Sequence, residues 1–192
     1  MKTCRSCGLP APRSTLTCAY CSGSFPAPTP AVYRLAPGGS GYHWLRHESV
    51  LIFEAQCDEG TWPLRRPGSD EALLTLVARG TGSGSGFEPA LIDARGRLAA
   101  TLSIPGADLR TLAVARDDSE ALLAEVRSDG PSGIHLIDDR GEVTALASRA
   151  GTGRRAALDV LVTRPAGDAG EALLFGILLG LELTRLGELR AA

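Results

Sequence analysis

Along most of the chain, apolar residues come in short runs broken by turn residues. Ser49–Cys57 and Ala72–Arg79 are rich in branched and aromatic side chains, and a Gly/Ser loop, Gly80–Gly86, follows the second. Ala90-Leu-Ile-Asp and Arg97–Leu102 flank a turn at Asp93–Gly96. Leu109–Arg116 and Glu120–Arg127 flank Asp117–Ser119, and Ile134–Asp138 and Glu142–Ser148 flank Asp138–Gly141. Ala156–Thr163 closes the series. Short strands at regular spacing, punctuated by Gly, Asp and Pro, predict an all-β sandwich or barrel.

One segment breaks this rhythm. From Ala172 to Leu181 no residue is polar, and Glu171, Glu182 and Arg185 bound the run. An amphipathic surface helix carries one apolar stripe, whereas here the apolar residues point all the way round. A helix spanning a bilayer needs about 20 apolar residues, and this run is half that length. The pattern predicts a helix over residues 171–190 buried inside protein, with no transmembrane span.

The head of the chain has a different logic. Cys4-Arg-Ser-Cys7 and Cys18-Ala-Tyr-Cys21 are two CxxC pairs separated by ten residues. Two intervening residues let both thiolates of a tight turn face one point, and two such knuckles supply the tetrahedral sulfurs a structural Zn²⁺ takes. Gly8, and Ser22-Gly23 after the second pair, suit the chain reversals. With Cys4, Cys7, Cys18 and Cys21 all ligands, one zinc is expected, with no position left for water; the site is structural. A segment this short buries too little apolar surface to fold alone, so metal would stabilise it. Residues 1–26 resemble the short zinc ribbons at the N-termini of many bacterial proteins, through the C-x-x-C-G…C-x-x-C run. Residues 27–41, with prolines at 28 and 30 after Pro26 and then Ala36-Pro-Gly-Gly-Ser-Gly41, read as a linker.

Two hairpins nearly repeat each other at a separation of 45 residues: Leu91-Ile-Asp-Ala-Arg-Gly-Arg-Leu and Leu136-Ile-Asp-Asp-Arg-Gly-Glu-Val. Turn chemistry accounts for Asp93 and Asp138, since Asp bonds its own turn and Gly supplies positive φ. A β-rich body ending in a helix apolar on every face suggests strands wrapped round a helix. These hairpins, strand Ala156–Thr163 and Leu173–Leu181 resemble the tubby-like superfamily, which includes the tubby C-terminal domain, the phospholipid scramblases and the LURP-one-related proteins. The resemblance covers residues 32–190. It implies a mainly β fold over residues 42–192, a closed antiparallel β-barrel enclosing the C-terminal hydrophobic helix, and contact with phospholipid head groups. Inside such a barrel, Gly176 and Gly180 would let the wall approach the helix.

Charge and composition adjust this picture only slightly. Residues 1–50 hold five cationic residues against Glu48, and the remainder 15 arginines against 21 acids, so a basic head (+4) joins an acidic body (−6). Arg65-Arg66 and Arg154-Arg155 are the only basic doublets of the body, a departure from a cluster that grips phosphoinositide. The N-terminus lacks an apolar signal core, and paired CxxC cysteines read as metal ligands in a reducing compartment. The expected location is cytoplasmic, peripheral at the inner face of the membrane. Gly80–Gly86 lacks the Lys of a phosphate loop, His43 and His47 have no supporting carboxylate, and His135 shows no partner. Cys57 reads as a small core residue. No enzyme is expected. The leading reading is a binding or adaptor protein that meets a protein partner through the ribbon. The alternatives are a nucleic-acid reader using Lys2, Arg5, Arg13, Tyr20 and Phe25, and a scramblase-like protein inserting its helix.

Overall fold

A computed structural model describes residues 2–3, 7, 9–11, 20–21, 30–47, 49–80, 87–105, 110–130, 133–151, 156–163 and 167–189. Twelve strands run β3 (Ala31–Gly38), β4 (Gly41–Arg46), β5 (Val50–Gln56), β6 (Trp62–Arg65), β7 (Ala72–Gly80), β8 (Phe87–Asp93), β9 (Leu98–Ser103), β10 (Thr111–Arg116), β11 (Leu122–Asp129), β12 (Gly133–Ile137), β13 (Val143–Ala150) and β14 (Ala157–Val162). Each pairs antiparallel with the next, and β14 pairs with β3 from Leu158↔Leu35 to Val162↔Ala31, which closes the barrel. An even number of strands lets a meander close with its last strand antiparallel to its first. Closure leaves no unpaired edge. A separate pair, β1 (Lys2–Thr3) and β2 (Pro10–Ala11), lies in the head.

Inward positions alternate as a half-buried strand requires. Tyr33 and Leu35, Phe53 and Ala55, Leu74 and Leu76, Ala113 and Ala115, and Leu158 and Val160 are all buried. About eight strands enclose a lumen that side chains alone fill, and a wider barrel encloses more. Here the extra space holds α1 (Gly167–Leu186), a helix of 20 residues. Every residue from Phe175 to Leu183 is buried. At 3.6 residues per turn those positions cover all azimuths, which only a surrounding wall satisfies. No helix among the described residues is long and apolar enough to cross a membrane.

The helix stops by a Schellman motif. Gly187 sits at φ +69°. Its N–H donates to the Thr184 carbonyl at 3.0 Å, and the Glu188 N–H donates to the Leu183 carbonyl at 2.9 Å. Leu189 then folds into the core.

The expected barrel and enclosed helix are both present; the helix runs Gly167–Leu186 in place of the expected 171–190, because Gly187 caps it at positive φ, and three stretches of strand also need correction. The linker read through residue 41 is strand from Ala31 onward, because Val32-Tyr-Arg-Leu35 alternates and Pro37 stands near the strand end. Gly41–Arg46, ahead of the first strand read from the sequence, is also a strand. Trp62–Arg65 is a further strand despite Pro63.

Candidate functional site

The wall of the lumen around α1 has three sectors. Strands β3–β6 carry Tyr33, Tyr42, Trp44, Phe53 and Trp62, all buried, and Phe175 on the helix faces them. The Tyr33 and Trp44 rings stack with centroids 5.1 Å apart, Trp44 and Phe175 at 5.5 Å, and Phe53 and Phe175 at 6.3 Å. One turn earlier on the helix, Glu171 accepts a hydrogen bond from the Tyr33 hydroxyl at 2.6 Å. The Arg46 guanidinium lies 5.9 Å from the Tyr33 ring centre, within cation–π range.

Strands β7–β9 form the second sector, against the glycine face. A Cβ on Gly176 would stand 2.7 Å from Leu91 Cδ2, and one on Gly180 would stand 3.2 Å from Leu102 Cδ2. The two glycines therefore draw the helix axis toward this wall, as expected from the sequence. The third sector, β10–β14, mixes buried Ala113, Ala115, Ala124, Ala145 and Ala147 with Val126, Ile134, Leu136 and, on β14, Leu158, Val160 and Val162.

Near the helix C-terminus the lumen holds a charge. Among the described residues Glu182 is the one charged residue that is fully buried. Arg149 from β13 grips it in a bidentate pair, Nη1 to Oε2 at 3.0 Å and Nη2 to Oε1 at 2.5 Å. Arg185, one turn along, donates through Nε at 3.1 Å and Nη2 at 3.0 Å to Oε2. Paired, fully hydrogen-bonded burial is the form in which a carboxylate is tolerated inside a protein. Sequence reading took Glu182 for a polar boundary of the apolar run; the one local signal was Arg185 three positions later.

The Asp turns follow sequence expectation. Asp93 Oδ1 accepts from the Arg95 and Arg97 N–H groups, each at 2.9 Å. Asp138 Oδ1 accepts from Arg140 at 3.0 Å and Glu142 at 2.9 Å. A third copy, at Asp117, bonds Ser119 and Ala121 in the same way, with Glu120 at φ +64° where the other two have glycine. The Arg97 backbone N–H and guanidinium hold the Asp93 carboxyl below its usual value of 3.8, and the Ser119 hydroxyl does the same for Asp117. All three turns stand at the end of the barrel where α1 begins.

The remaining candidates disperse. His43 lies in β4 with its ring over Gly38, and His47 follows the strand at φ +48°, so their spacing of four is not helical. His135 has a partner after all: Asp129 Oδ2, 3.1 Å from its Nε2. The Ser128 hydroxyl turns away to the Gly130 carbonyl. Cys57 is exposed in the β5–β6 turn, not a core residue. Arg65-Arg66 ends β6. The described strand ends flanking Arg154-Arg155 stand at the opposite end of the barrel, and the second doublet lies outside the described residues, as do residues 81–86 of the Gly/Ser loop.

In the head, Cys4 and Cys18 lie outside the described residues. Cys7 and Cys21 occupy exposed turns. Backbone pairing of Lys2 with Ala11 and Thr3 with Pro10 frames the first cysteine pair. A hairpin around an exposed thiol suits the knuckle a tetrathiolate zinc site uses.

No family model matches the chain, and no curated protein matches it. Its fold is similar to that of an Arabidopsis thaliana protein known from an X-ray structure. The TM-score is 0.54 at 16% identity, over 80% of this chain and 91% of that one, a likeness in fold: a closed antiparallel β-barrel.

Proposed function

We propose that the chain is a non-enzymatic binding or adaptor protein, a zinc-ribbon head carried on a tubby-like barrel. The observation that supports this reading is the filled lumen. A barrel that carries a large ligand inside leaves its centre open, whereas α1 and the aromatic stack occupy this one. Recognition of any large partner is then left to the head and to the outer surface. Cys4, Cys7, Cys18 and Cys21 hold one structural zinc, which orders a head too small to fold unaided, and the head meets a protein partner. Phospholipid head groups are the secondary partner, at a cytoplasmic membrane face. The placement of the Arg65-Arg66 doublet away from the strand ends that flank the second doublet argues against a single basic patch built from both.

Zinc content of the purified full chain, combined with liposome co-sedimentation, tests this reading. One zinc per chain and no sedimentation supports the adaptor; one zinc with salt-sensitive sedimentation on anionic vesicles supports lipid contact as well. Absence of zinc after metal-replete, reducing expression refutes the head.

A further inference from the structure

The third sector does not fill all the space the helix leaves. Beside α1, on the side of β11–β14, lies a cavity of about 190 Å³ near the helix start. Its apolar walls include Leu123, Ala124, Leu136 and Val162 from the barrel and Leu174 and Ile177 from the helix. Gly176 and Gly180 hold the helix against β7–β9, and on the far side Ala124 contributes only a methyl group to the cavity wall.

The polar edge of the cavity is acidic. Asp138 and Glu171 both line it, with Thr144 and no Lys, Arg or His among the lining residues described. Glu171 receives the Tyr33 hydroxyl on Oε1, and Asp138 receives its two turn N–H groups on Oδ1. Among the described residues, neither Glu171 Oε2 nor Asp138 Oδ2 accepts a hydrogen bond. The positive end of the helix dipole lies close by, but two full charges outweigh the roughly half charge it presents.

We propose that this crevice binds a small amphipathic cation, a short alkyl chain ending in a primary ammonium. At roughly 30 Å³ for a water-sized group, the volume holds about six such groups, which matches a hexyl chain. Alkyl burial supplies attraction, and Asp138 and Glu171 select the sign of the head group. The site is independent of the zinc head and of the adaptor reading, and loss of zinc leaves it intact.

Titration of the full chain with n-hexylammonium, 1-hexanol and hexanoate, followed by methyl NMR, tests the proposal. Expected are shifts at Ala124, Leu136 and Thr144, affinity for the ammonium about tenfold above the alcohol, and no response to hexanoate. Ala124→Leu, which fills the cavity, abolishes the shifts, and Glu171→Gln brings the ammonium close to the alcohol. Equal binding of hexanoate and hexylammonium by the unsubstituted chain overturns the proposal, as do shifts confined to other residues. The three-ligand comparison needs no variant to fold.

Discussion

Two sides of one barrel wall treat the same helix in opposite ways. On β3–β6, large rings reach across and stack on Phe175, so that side is filled by area. On β11–β14, where Ala124 stands among Leu123, Leu136 and Val162, a cavity remains beside the helix. The helix itself sets the difference. Its glycine face approaches β7–β9 so closely that a methyl group would collide with Leu91, and the remaining lumen is asymmetric. Rings occupy one part, which gives rigidity; the other part keeps room for a ligand. The aromatic side also carries a cost, since the indole N–H groups of Trp44 and Trp62 are buried with no acceptor among the described residues.

The largest test of this contrast is Trp44→Ala. It removes the centre of the stack and is expected to lower stability by about 3–5 kcal/mol in denaturant titration. Ala124→Leu, on the opposite wall, is expected to cost less than about 1 kcal/mol because the cavity takes the added methyl groups. A comparable loss for both would erase the distinction between the two sides.

Next in size is Arg149→Met. Breaking a buried ion pair from one side costs about 3 kcal/mol, because Glu182 stays buried with Arg185 as its one remaining guanidinium partner among the described pairs. The urea midpoint measures it; an unchanged midpoint would mean the pair contributes no net stability.

A smaller effect is expected for Gly176→Ala. Overpacking against Leu91 costs about 1–3 kcal/mol, and the helix propensity of Ala returns about 1 kcal/mol, for a modest net loss. Gly180→Ala meets Leu102 less closely and is expected to be near neutral. A reversed order would place the tight contact elsewhere along the helix.

The smallest effect concerns pH. Hydrogen bonds from Arg97 and Arg95 favour the ionised Asp93 in the folded chain and lower its pKa below 3.8. Its contribution is therefore present above pH 3.8 and is lost as pH falls through the lowered folded value. Asp93→Asn is expected to shallow the acid limb of the stability curve. The gap between parent and variant midpoints should be narrower at about pH 3 than at about pH 7; a constant gap would contradict the assignment.

Much of the architecture was legible locally. Alternating runs announced strands, the Asp-x-Arg-Gly repeats announced hairpins, and Ala172–Leu181 announced a buried helix, because periodicity is a property of neighbouring residues. The strands that escaped, Ala31–Gly38, Gly41–Arg46 and Trp62–Arg65, carry or adjoin proline and glycine, and those residues read as breaks until pairing partners are known. Pro63 sits within a strand opposite Thr75, a pairing no local pattern specifies. The four cysteines of the head were legible as a motif by spacing alone.

By itself, then, the sequence determined that short strands would surround an apolar helix and that glycines would line one side of it. Tertiary structure decided the rest. Closure of β14 on β3 joins residues more than a hundred positions apart, and it brings Arg149 to Glu182. It also decides which wall the glycine face meets, and so where rings pack and where space remains. Those outcomes depend on side-chain volumes summed across the lumen, a quantity that exists only once the barrel has closed.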